Sequence, residues 1–427
     1  MAALWYVAPP VNANGPSLPP PARVGRYHVL AKIADGGMAA VYMARRDDGE
    51  IVAIKRIREE FARNKDFLTM LFDEARIVSH LRHPNIVRYH ELGNEGGQAF
   101  IAMELLVGQS LWSVWEGCRA RGVRLRYEMI AWIGARVAEG LHYAHELREG
   151  EPGQEKPLGI VHRDVNATNI FVTYDGDIKI IDFGLAKAAN RASKTAAGVI
   201  KGKVAYMSPE QAVGAPVDRR TDIFALGTTL WELACDRRLF KHTDDVKTLE
   251  RVHAAEVPDP RLLVDGFPPA LWAVLRRALS RDPDDRQSTA AELARELDAF
   301  VGRVNHTAQT PEGRLGGAVD GKVMAEVMRE LFAAERARQI AWIAEASAPG
   351  GRGVAEPLLS RSSFWTADDQ ARPSALPGAR LPAVLAPAAV PPSGLHSAQT
   401  TTRKLVPIVL AIAVVVAAVV ITALALR

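Results

Sequence analysis

Two acids and one amide in the middle of the chain have the side chains and the spacing of a magnesium site. Asp164 lies in the stretch VHRDVNATN, Asn169 follows it by five residues, and Asp182 lies 13 residues further on, in IKIIDFGLAK. Mg²⁺ binds oxygen ligands and usually shares its coordination with substrate phosphates. Asn169 and Asp182 are therefore predicted to bind the metal, and Asp164 to accept the proton of an attacking hydroxyl group. Alone, Asp-Phe-Gly is weak support, because the same residues build ordinary turns.

A lysine and a glutamate upstream could form an ion pair beside these acids. Lys55 ends an apolar run in EIVAIKRI, and Glu74 lies between Leu71 and Val78 on one face of a helical pattern over residues 64–82. A carboxylate on an apolar face is costly unless it is paired. Lys55 is its predicted partner, which would direct the ammonium group toward phosphates. The alternative is a surface lysine on an edge strand.

The elements that must position these side chains fall into two groups. Residues 27–57 alternate apolar and polar types in three runs, YHVLAKI, AVYMARR and EIVAIKRI, which is typical of strands. From about residue 129 onward helical periodicity predominates, as in MIAWIGARVAEGLHYAHEL. A β-rich segment followed by an α-rich segment favours a two-lobed α+β domain.

Over roughly residues 27–300 the chain resembles a Ser/Thr protein kinase of the bacterial, eukaryotic-like (Hanks-type) group. VHRDVNATN and DFG are similar to the catalytic and metal-binding motifs of that family. AYMSPEQ at 205–211 resembles the end of its activation segment, and DRRTDIFALGTTLWEL, with Asp222, resembles the buried helix that follows. Arg286 stands where the family places an arginine that pairs with the equivalent of Glu210.

The resemblance implies a protein kinase fold with a β-rich N-terminal lobe, a helical C-terminal lobe, and ATP and Mg²⁺ as cofactors. Lys55 would bind the α- and β-phosphates and Glu74 would orient it. Asp164 would be the catalytic base, and Asn169 and Asp182 would hold the metal.

The segment expected to cover the phosphates departs from the family pattern. In KIADGGMAAVYMARR, the pattern G-x-G-x-x-G-x-V puts Ala34 and Ala39 at two glycine positions and keeps Gly36. Alanine allows a hairpin but narrows its conformational freedom. AMELLVGQSL resembles the hinge between lobes, with Met103 as gatekeeper and backbone groups that would bind adenine. The residues assigned to ATP binding are Ile33, Ala34, Asp35, Gly36, Gly37, Met38, Ala39, Ala40, Val41, Ala53, Lys55, Met103, Glu104 and Leu106.

Two further departures concern the charge near the transferred phosphate. Asn166 replaces the lysine usual in Ser/Thr kinases, and Lys203 stands where a threonine is usual. We hypothesise an exchange, in which Lys203 supplies the cation near Asp164 and Asn166 becomes its neutral hydrogen-bond partner. Such a cation matters because positioning and electrostatics are the main sources of catalysis in phosphoryl transfer. The alternative is that Lys203 faces solvent and the site is weaker.

The activation segment contains two candidate regulatory phosphosites, Thr195 and Ser193. Arg163, next to the catalytic acid, could pair with a phosphate there and order the segment. The alternative is an ordinary polar loop.

The composition of the chain indicates which classes of binding partner to expect. A net charge of +4 over 427 residues, without a basic stripe interleaved with aromatics, excludes nucleic acid as the expected partner. The two cysteines, Cys118 and Cys235, lack metal-binding spacing, which is typical of a reducing cytosol.

The regions outside the domain lead to a predicted membrane anchor. Residues 1–26 read as a Pro-rich flexible leader, 301–346 as a helical extension, and 347–404 as a Pro/Ala-rich linker of roughly 40 Å root-mean-square span. Residues 405–426 carry no charge and, as a helix, would extend roughly 33 Å, which predicts a C-terminal transmembrane helix. Basic residues before it favour a single-pass inner (plasma) membrane protein with its kinase domain in the cytoplasm.

The sequence thus predicts a membrane-anchored, ATP-dependent Ser/Thr kinase that phosphorylates cytoplasmic proteins and, through self-association in the membrane, itself. One rival is a catalytically silent nucleotide-binding scaffold, which the alanine-substituted loop and Asn166 motivate. Another is a small-molecule kinase, against which the Ser-Pro-Glu motif and the Asp222 helix argue.

Overall fold

A six-stranded antiparallel sheet forms the N-terminal lobe of the computed structural model. The structure describes residues 23–35, 39–63, 68–69, 71–72, 76, 78–151, 153–183, 203–307, 319–348 and 385–387. The sheet strands are β1 (Arg23–Val24), β2 (Tyr27–Asp35), β3 (Ala39–Arg45), β4 (Ile51–Ile57), β5 (Tyr89–Glu95) and β6 (Gln98–Glu104), in the order β1-β2-β3-β4-β6-β5. Because strand side chains alternate between faces, one face joins the main core and the other buries a smaller cluster around Tyr27 and Phe100.

Strand β4 lies in the middle of this sheet and carries Lys55. Lys55 stands opposite Val41 on β3 and Ile101 on β6, and it is 0% exposed. The alternative of a surface lysine on an edge strand is therefore wrong.

Helices dominate the C-terminal lobe, as predicted. The helices are α1 (Glu59–Ala62) in the N-terminal lobe, then α2 (Leu111–Ala120), α3 (Tyr127–His145), α4 (Pro209–Ala212), α5 (Arg220–Cys235), α6 (Asp245–Ala254), α7 (Pro269–Ala278), α8 (Ala290–Thr307) and α9 (Gly321–Ser347), with 3-10 turns at Lys203–Tyr206, Pro260–Leu262 and Pro283–Asp285. Every residue of α5 after Arg220 is buried, because this helix is largely apolar all round. Its hydroxyls at Thr228 and Thr229 are satisfied by carbonyls one turn earlier.

Short strands form one three-stranded sheet and two separate pairs among the described residues. β7 (Gly108–Ser110) pairs with β11 (Ile170–Thr173), which pairs with β12 (Ile178–Ile180). A separate pair consists of β9 (Arg148–Glu149) and β10 (Lys156–Pro157). β8 (Val123–Leu125) pairs with β13 (Leu385–Pro387), a strand within the predicted linker that the sequence did not indicate.

The predicted helical extension forms α9, whose first turn is capped by Asp320, with its side chain accepting from the Val323 amide at 3.0 Å. It packs against α2 and β2, so it contacts both lobes. Across the part of the chain that the structure describes, no helix has both the length and the apolarity needed to cross a bilayer. The predicted transmembrane helix 405–426 lies outside that part.

Candidate active site

The β11–β12 hairpin brings the two predicted metal ligands together. Asn169 immediately precedes β11 and Asp182 follows β12 by two residues. Between them, the Ile181 amide donates to the Asn169 carbonyl at 2.9 Å. The antiparallel register therefore converts a separation of 13 residues in sequence into adjacency in space.

Both ligands keep an unused oxygen. Asn169 Oδ1 and Asp182 Oδ2 are buried and have no hydrogen-bond partner among the described residues. Asn169 Nδ2 donates to the Asp164 carbonyl at 2.7 Å, which fixes the amide so that its oxygen faces away from that bond. Such oxygens are costly to bury unless they bind something, and they are the donor type that Mg²⁺ prefers. The residues present thus fit the metal that the sequence predicts.

Lys55 forms a buried ion pair with Asp182. Its Nζ lies 2.5 Å from Asp182 Oδ1, and both side chains are almost fully buried. The predicted pair was Lys55–Glu74. Glu74 lies outside the described residues, although Leu71 and Val78 on the same predicted face are buried as expected. The pair places the ammonium group beside the predicted metal ligand, where both could act on one triphosphate.

Asp222 on α5 fixes the catalytic loop through hydrogen bonds to its backbone amides. Asp222 is fully buried and its Oδ1 accepts from the Arg163 amide at 2.7 Å, while Oδ2 accepts from the His162 amide at 2.8 Å. His145 Nε2 lies 2.8 Å from Oδ2. Burial alone would raise the pKa of Asp222, but the hydrogen bond and charge of His145, with those of His162, hold that pKa below its usual value. An ionised Asp222 thus fixes the backbone that precedes the predicted base.

Two residues of the site have left-handed backbone conformations, which residues other than glycine adopt uncommonly. Arg163 has φ 66° and Asp182 has φ 63°. Strain of this kind costs about 1–3 kcal/mol and persists only where surrounding structure enforces it. Here the enforcing contacts are the Asp222 hydrogen bonds and the Lys55 ion pair.

Asn166 is committed to the loop itself. Its Nδ2 donates to Asp164 Oδ1 at 3.1 Å, and its Oδ1 accepts from both the amide and the hydroxyl of Thr168. An amide oxygen has two lone pairs, so Asn166 Oδ1 has no acceptor left for Lys203 in this conformation. The Lys203 side chain lies outside the described residues, and its contact with Asp164 stays a prediction.

Most of the residues assigned to ATP binding lie on strands β2, β3, β4 and β6 or in the segment after β6. Ala53 and Met103 face each other across β4 and β6, and both are buried. Ile33, Ala34, Ala39, Ala40 and Val41 on β2 and β3 are buried too, and Asp35 is exposed. Glu104 and Leu106 are half-buried at the hinge. Gly36, Gly37 and Met38 lie outside the described residues.

The end of the activation segment is anchored by a buried bidentate ion pair. Arg286 Nη1 and Nη2 each lie 2.8 Å from a carboxylate oxygen of Glu210. Burial would raise the pKa of Glu210, but the Arg286 guanidinium lowers it to about 2. The arginine and glutamate matched from the sequence thus form a pair. The phosphosite candidates Ser193 and Thr195 lie outside the described residues.

Sequence reasoning missed two residues that contact this machinery. His145 ends α3 and supports Asp222, although its sequence context looks like an ordinary helix end. Tyr89 is buried on β5, and its hydroxyl has no hydrogen-bond partner among the described residues. Burial and the Asp182 carboxylate raise the pKa of Tyr89. Neither residue lies in a motif that the sequence marks, because His145 ends a helix and Tyr89 begins a strand of mixed polarity.

Comparison with known proteins identifies a family for most of this region. The protein kinase domain family matches residues 27–297. MasK of Myxococcus xanthus, named a tyrosine-protein kinase, is 40% identical over 284 residues, which are 65% of this chain and 43% of MasK. The serine/threonine-protein kinase PknL of Mycobacterium tuberculosis is 34% identical over 279 residues, which are 65% of this chain and 66% of PknL.

Other similarities have the same extent. PrkC of Bacillus subtilis, a serine/threonine-protein kinase, is 33% identical over 64% of this chain and 40% of its own length. The chain thus matches less than two thirds of the length of these relatives. The crystal structure of the PknI kinase domain from Mycobacterium tuberculosis has a TM-score of 0.51 at 24% identity, covering 66% of this chain and 99% of that domain, which shows the fold alone.

Proposed function

This chain belongs to the protein kinase family, whose domain matches residues 27–297, and we propose that it is a Ser/Thr protein kinase that uses ATP and Mg²⁺. The observation that carries the proposal is the buried Lys55–Asp182 pair beside the unpartnered oxygens of Asn169 and Asp182. A cation and two oxygen ligands beside an acid are the parts that phosphoryl transfer requires.

The chain's own residues divide the work as follows. Lys55 binds and orients the phosphates, and Asp164 accepts the proton of the acceptor hydroxyl. Asn169 and Asp182 would hold Mg²⁺, which supplies charge neutralisation on the triphosphate. Asp222 acts through the backbone of the catalytic loop and is a positioning residue.

The test is phosphate transfer by the full-length chain. With radiolabelled ATP and Mg²⁺, wild-type protein should label itself or a generic acceptor protein, and Asp164→Asn should not. No label from either protein would leave the silent scaffold as the better account. That account is less favoured, because Lys55, Asp164, Asn169 and Asp182 are all present.

A tyrosine acceptor is a second candidate that has a specific observation in its favour. MasK, at 40% identity, is named a tyrosine-protein kinase, and Asn166 replaces the lysine typical of Ser/Thr enzymes. PknL and PrkC, at 34% and 33% identity, are named serine/threonine-protein kinases. Acid hydrolysis of the labelled protein separates the two: phosphoserine or phosphothreonine supports the first proposal, and phosphotyrosine alone overturns it.

We also propose that residues 405–426 anchor the chain in the plasma membrane with the kinase domain in the cytoplasm. The support is an uncharged run of 22 residues between Arg403-Lys404 and Arg427. Full-length protein should sediment with membranes, whereas a chain ending at residue 404 should stay in the supernatant. Equal distribution of the two would contradict the anchor.

Anchoring would favour phosphorylation between copies, because confinement raises their effective concentration. Removing residues 405–427 should then lower autophosphorylation at low protein concentration while leaving transfer to a free acceptor unchanged. An unchanged autophosphorylation rate would argue against self-association in the membrane.

A further inference from the structure

Helix α9 follows the kinase domain in sequence, yet it contacts three parts of the domain in turn. Its 27 residues are helical on both sides of a kink at Phe332, where φ is −131° and ψ is 31°. Its first half lies against the C-terminal lobe, where the Arg121 guanidinium donates to the Leu331 carbonyl at 2.7 Å. Its last residue, Ser347, accepts a hydrogen bond from Arg45 on β3 through its carbonyl. The helical segment α9, which is kinked at Phe332, therefore links the two lobes.

The N-terminal half of α9 packs closely against the C-terminal lobe. A Cβ added to Gly176, in the β11–β12 turn, would lie 1.8 Å from the Gly321 carbonyl oxygen. A Cβ added to Gly117 on α2 would lie 3.0 Å from the Phe332 ring. Val327 and Leu331 are buried in the main core. This end is thus fixed on the C-terminal lobe.

Between its two ends, α9 contacts the segment that joins the lobes. Gln339 is 7% exposed, and its Nε2 donates to the Gly108 carbonyl at 3.3 Å. Gly108 begins β7, directly after the hinge, and a Cβ there would lie 2.1 Å from the Val172 carbonyl oxygen of β11. The chain at residue 108 is therefore held between β11 on one side and Gln339 on the other.

The other end of the hinge is fixed by different contacts. The Glu104 amide donates to the Arg88 carbonyl at 2.9 Å, and Glu104 Oε1 accepts from Lys179 Nζ at 3.0 Å. Residues 105–107 thus run between two fixed points, and at the second the Tyr174 amide donates to the Val107 carbonyl at 3.1 Å while Gln339 donates to the Gly108 carbonyl. This is the segment whose backbone is expected to bind adenine.

We propose that Gln339 is a positioning residue for ATP binding, and that α9 acts as a brace that sets the hinge and the spacing of the two lobes. The inference rests on ATP binding in the cleft, as proposed above. Loss of the Gln339 donor leaves the Gly108 carbonyl with one partner fewer and removes the contact between α9 and the end of the hinge. ATP affinity should fall, whereas proton acceptance by Asp164 and metal binding by Asn169 and Asp182 should continue as before.

The experiment measures direct binding of a fluorescent ATP analogue to the full-length chain, with no need for catalysis. Gln339→Met keeps the volume and removes the donor, and we expect the Kd for the analogue to rise about three- to tenfold. The ATP KM should rise in parallel, with kcat and the KM for the protein acceptor changed less than twofold. Arg45→Met, which detaches the N-terminal-lobe end, should also raise the Kd.

Two controls separate positioning from simple stabilisation. Val327→Ala removes buried packing at the other end of α9, so it should lower Tm but leave the Kd within twofold of wild type. Arg338→Ala, at a neighbouring exposed position, should change neither. The inference is overturned if both Gln339→Met and Arg45→Met bind the analogue as wild type does, or if Val327→Ala weakens binding equally. If wild-type protein itself does not bind, the proposed function fails instead.

Discussion

Asp164 is the residue on which phosphoryl transfer should depend most directly. Replacing it with asparagine removes the proton acceptor and keeps the shape, so kcat should fall by about 10²–10⁴-fold. Binding of an ATP analogue should be retained. Asp175→Asn, the same change at an exposed position in the neighbouring turn, is the matched control and should leave kcat unchanged. A fall of less than tenfold for Asp164→Asn would remove the base from the mechanism.

The hypothesis that Lys203 and Asn166 have exchanged roles can also be tested by substituting single residues. If Lys203 supplies the cation near the transferred phosphate, Lys203→Met should lower kcat by about 10²–10³-fold. Adding Asn166→Lys should restore part of the loss. In the wild-type protein Thr168 occupies both lone pairs of Asn166 Oδ1, so we expect no direct bond from Lys203 to Asn166. The double variant therefore tests whether a positive charge near the phosphate is what matters. Unchanged turnover in Lys203→Met would end the hypothesis.

At the scale of secondary-structure elements, the close contact between α9 and the β11–β12 turn predicts that residue 176 must be glycine. Gly176 has φ +91° and no room for a Cβ, whereas Gly153 has φ +86° and open space around it. Gly176→Ala and Gly153→Ala therefore share the cost of a strained backbone, about 1–2 kcal/mol. Gly176→Ala should lose about 1–3 kcal/mol more, because the clash with Gly321 displaces α9. Urea unfolding of both variants checks this, and equal losses would contradict the packing.

The Glu210–Arg286 pair joins α4 to the loop before α8 and predicts a pH effect. The pKa of Glu210 is about 2 in the folded protein and 4.5 ordinarily, so the stabilisation is complete above pH of about 4.5 and is lost as the pH falls toward 2. Wild-type protein should therefore exceed Glu210→Gln in stability at pH 6 by more than at pH 3. Urea midpoints at the two pH values measure this, and a constant difference would show that Glu210 does not titrate as described.

At the scale of the whole molecule, ATP and Mg²⁺ should stabilise the protein, because they bind the folded chain and not the unfolded one. At 100 times Kd the gain is about 2.7 kcal/mol, which should raise Tm by several degrees. EDTA should reverse most of the shift in Tm, because Asn169 Oδ1 and Asp182 Oδ2 then have no metal ion to bind. A nucleotide-dependent shift that EDTA does not change would argue against metal binding by these residues.

The sequence by itself determined the family and the two-lobed fold, and it predicted the residues of the site. Motifs such as HRD, DFG and a strand lysine are short, and each depends on local geometry that its own residues impose. Their order along the chain is what makes them specific. Asp222 and Arg286 could be matched in the same way, since each lies in a motif of its own.

Only the tertiary structure decided which groups meet. Lys55 pairs with Asp182, 127 residues away, because β4 is central in the sheet and faces the β11–β12 hairpin. The sequence predicted a helical extension over residues 301–346 but could not say what it covers, since an apolar face does not specify its partner. The contact of Gln339 with the hinge depends on the fold of both lobes, so no local pattern encodes it.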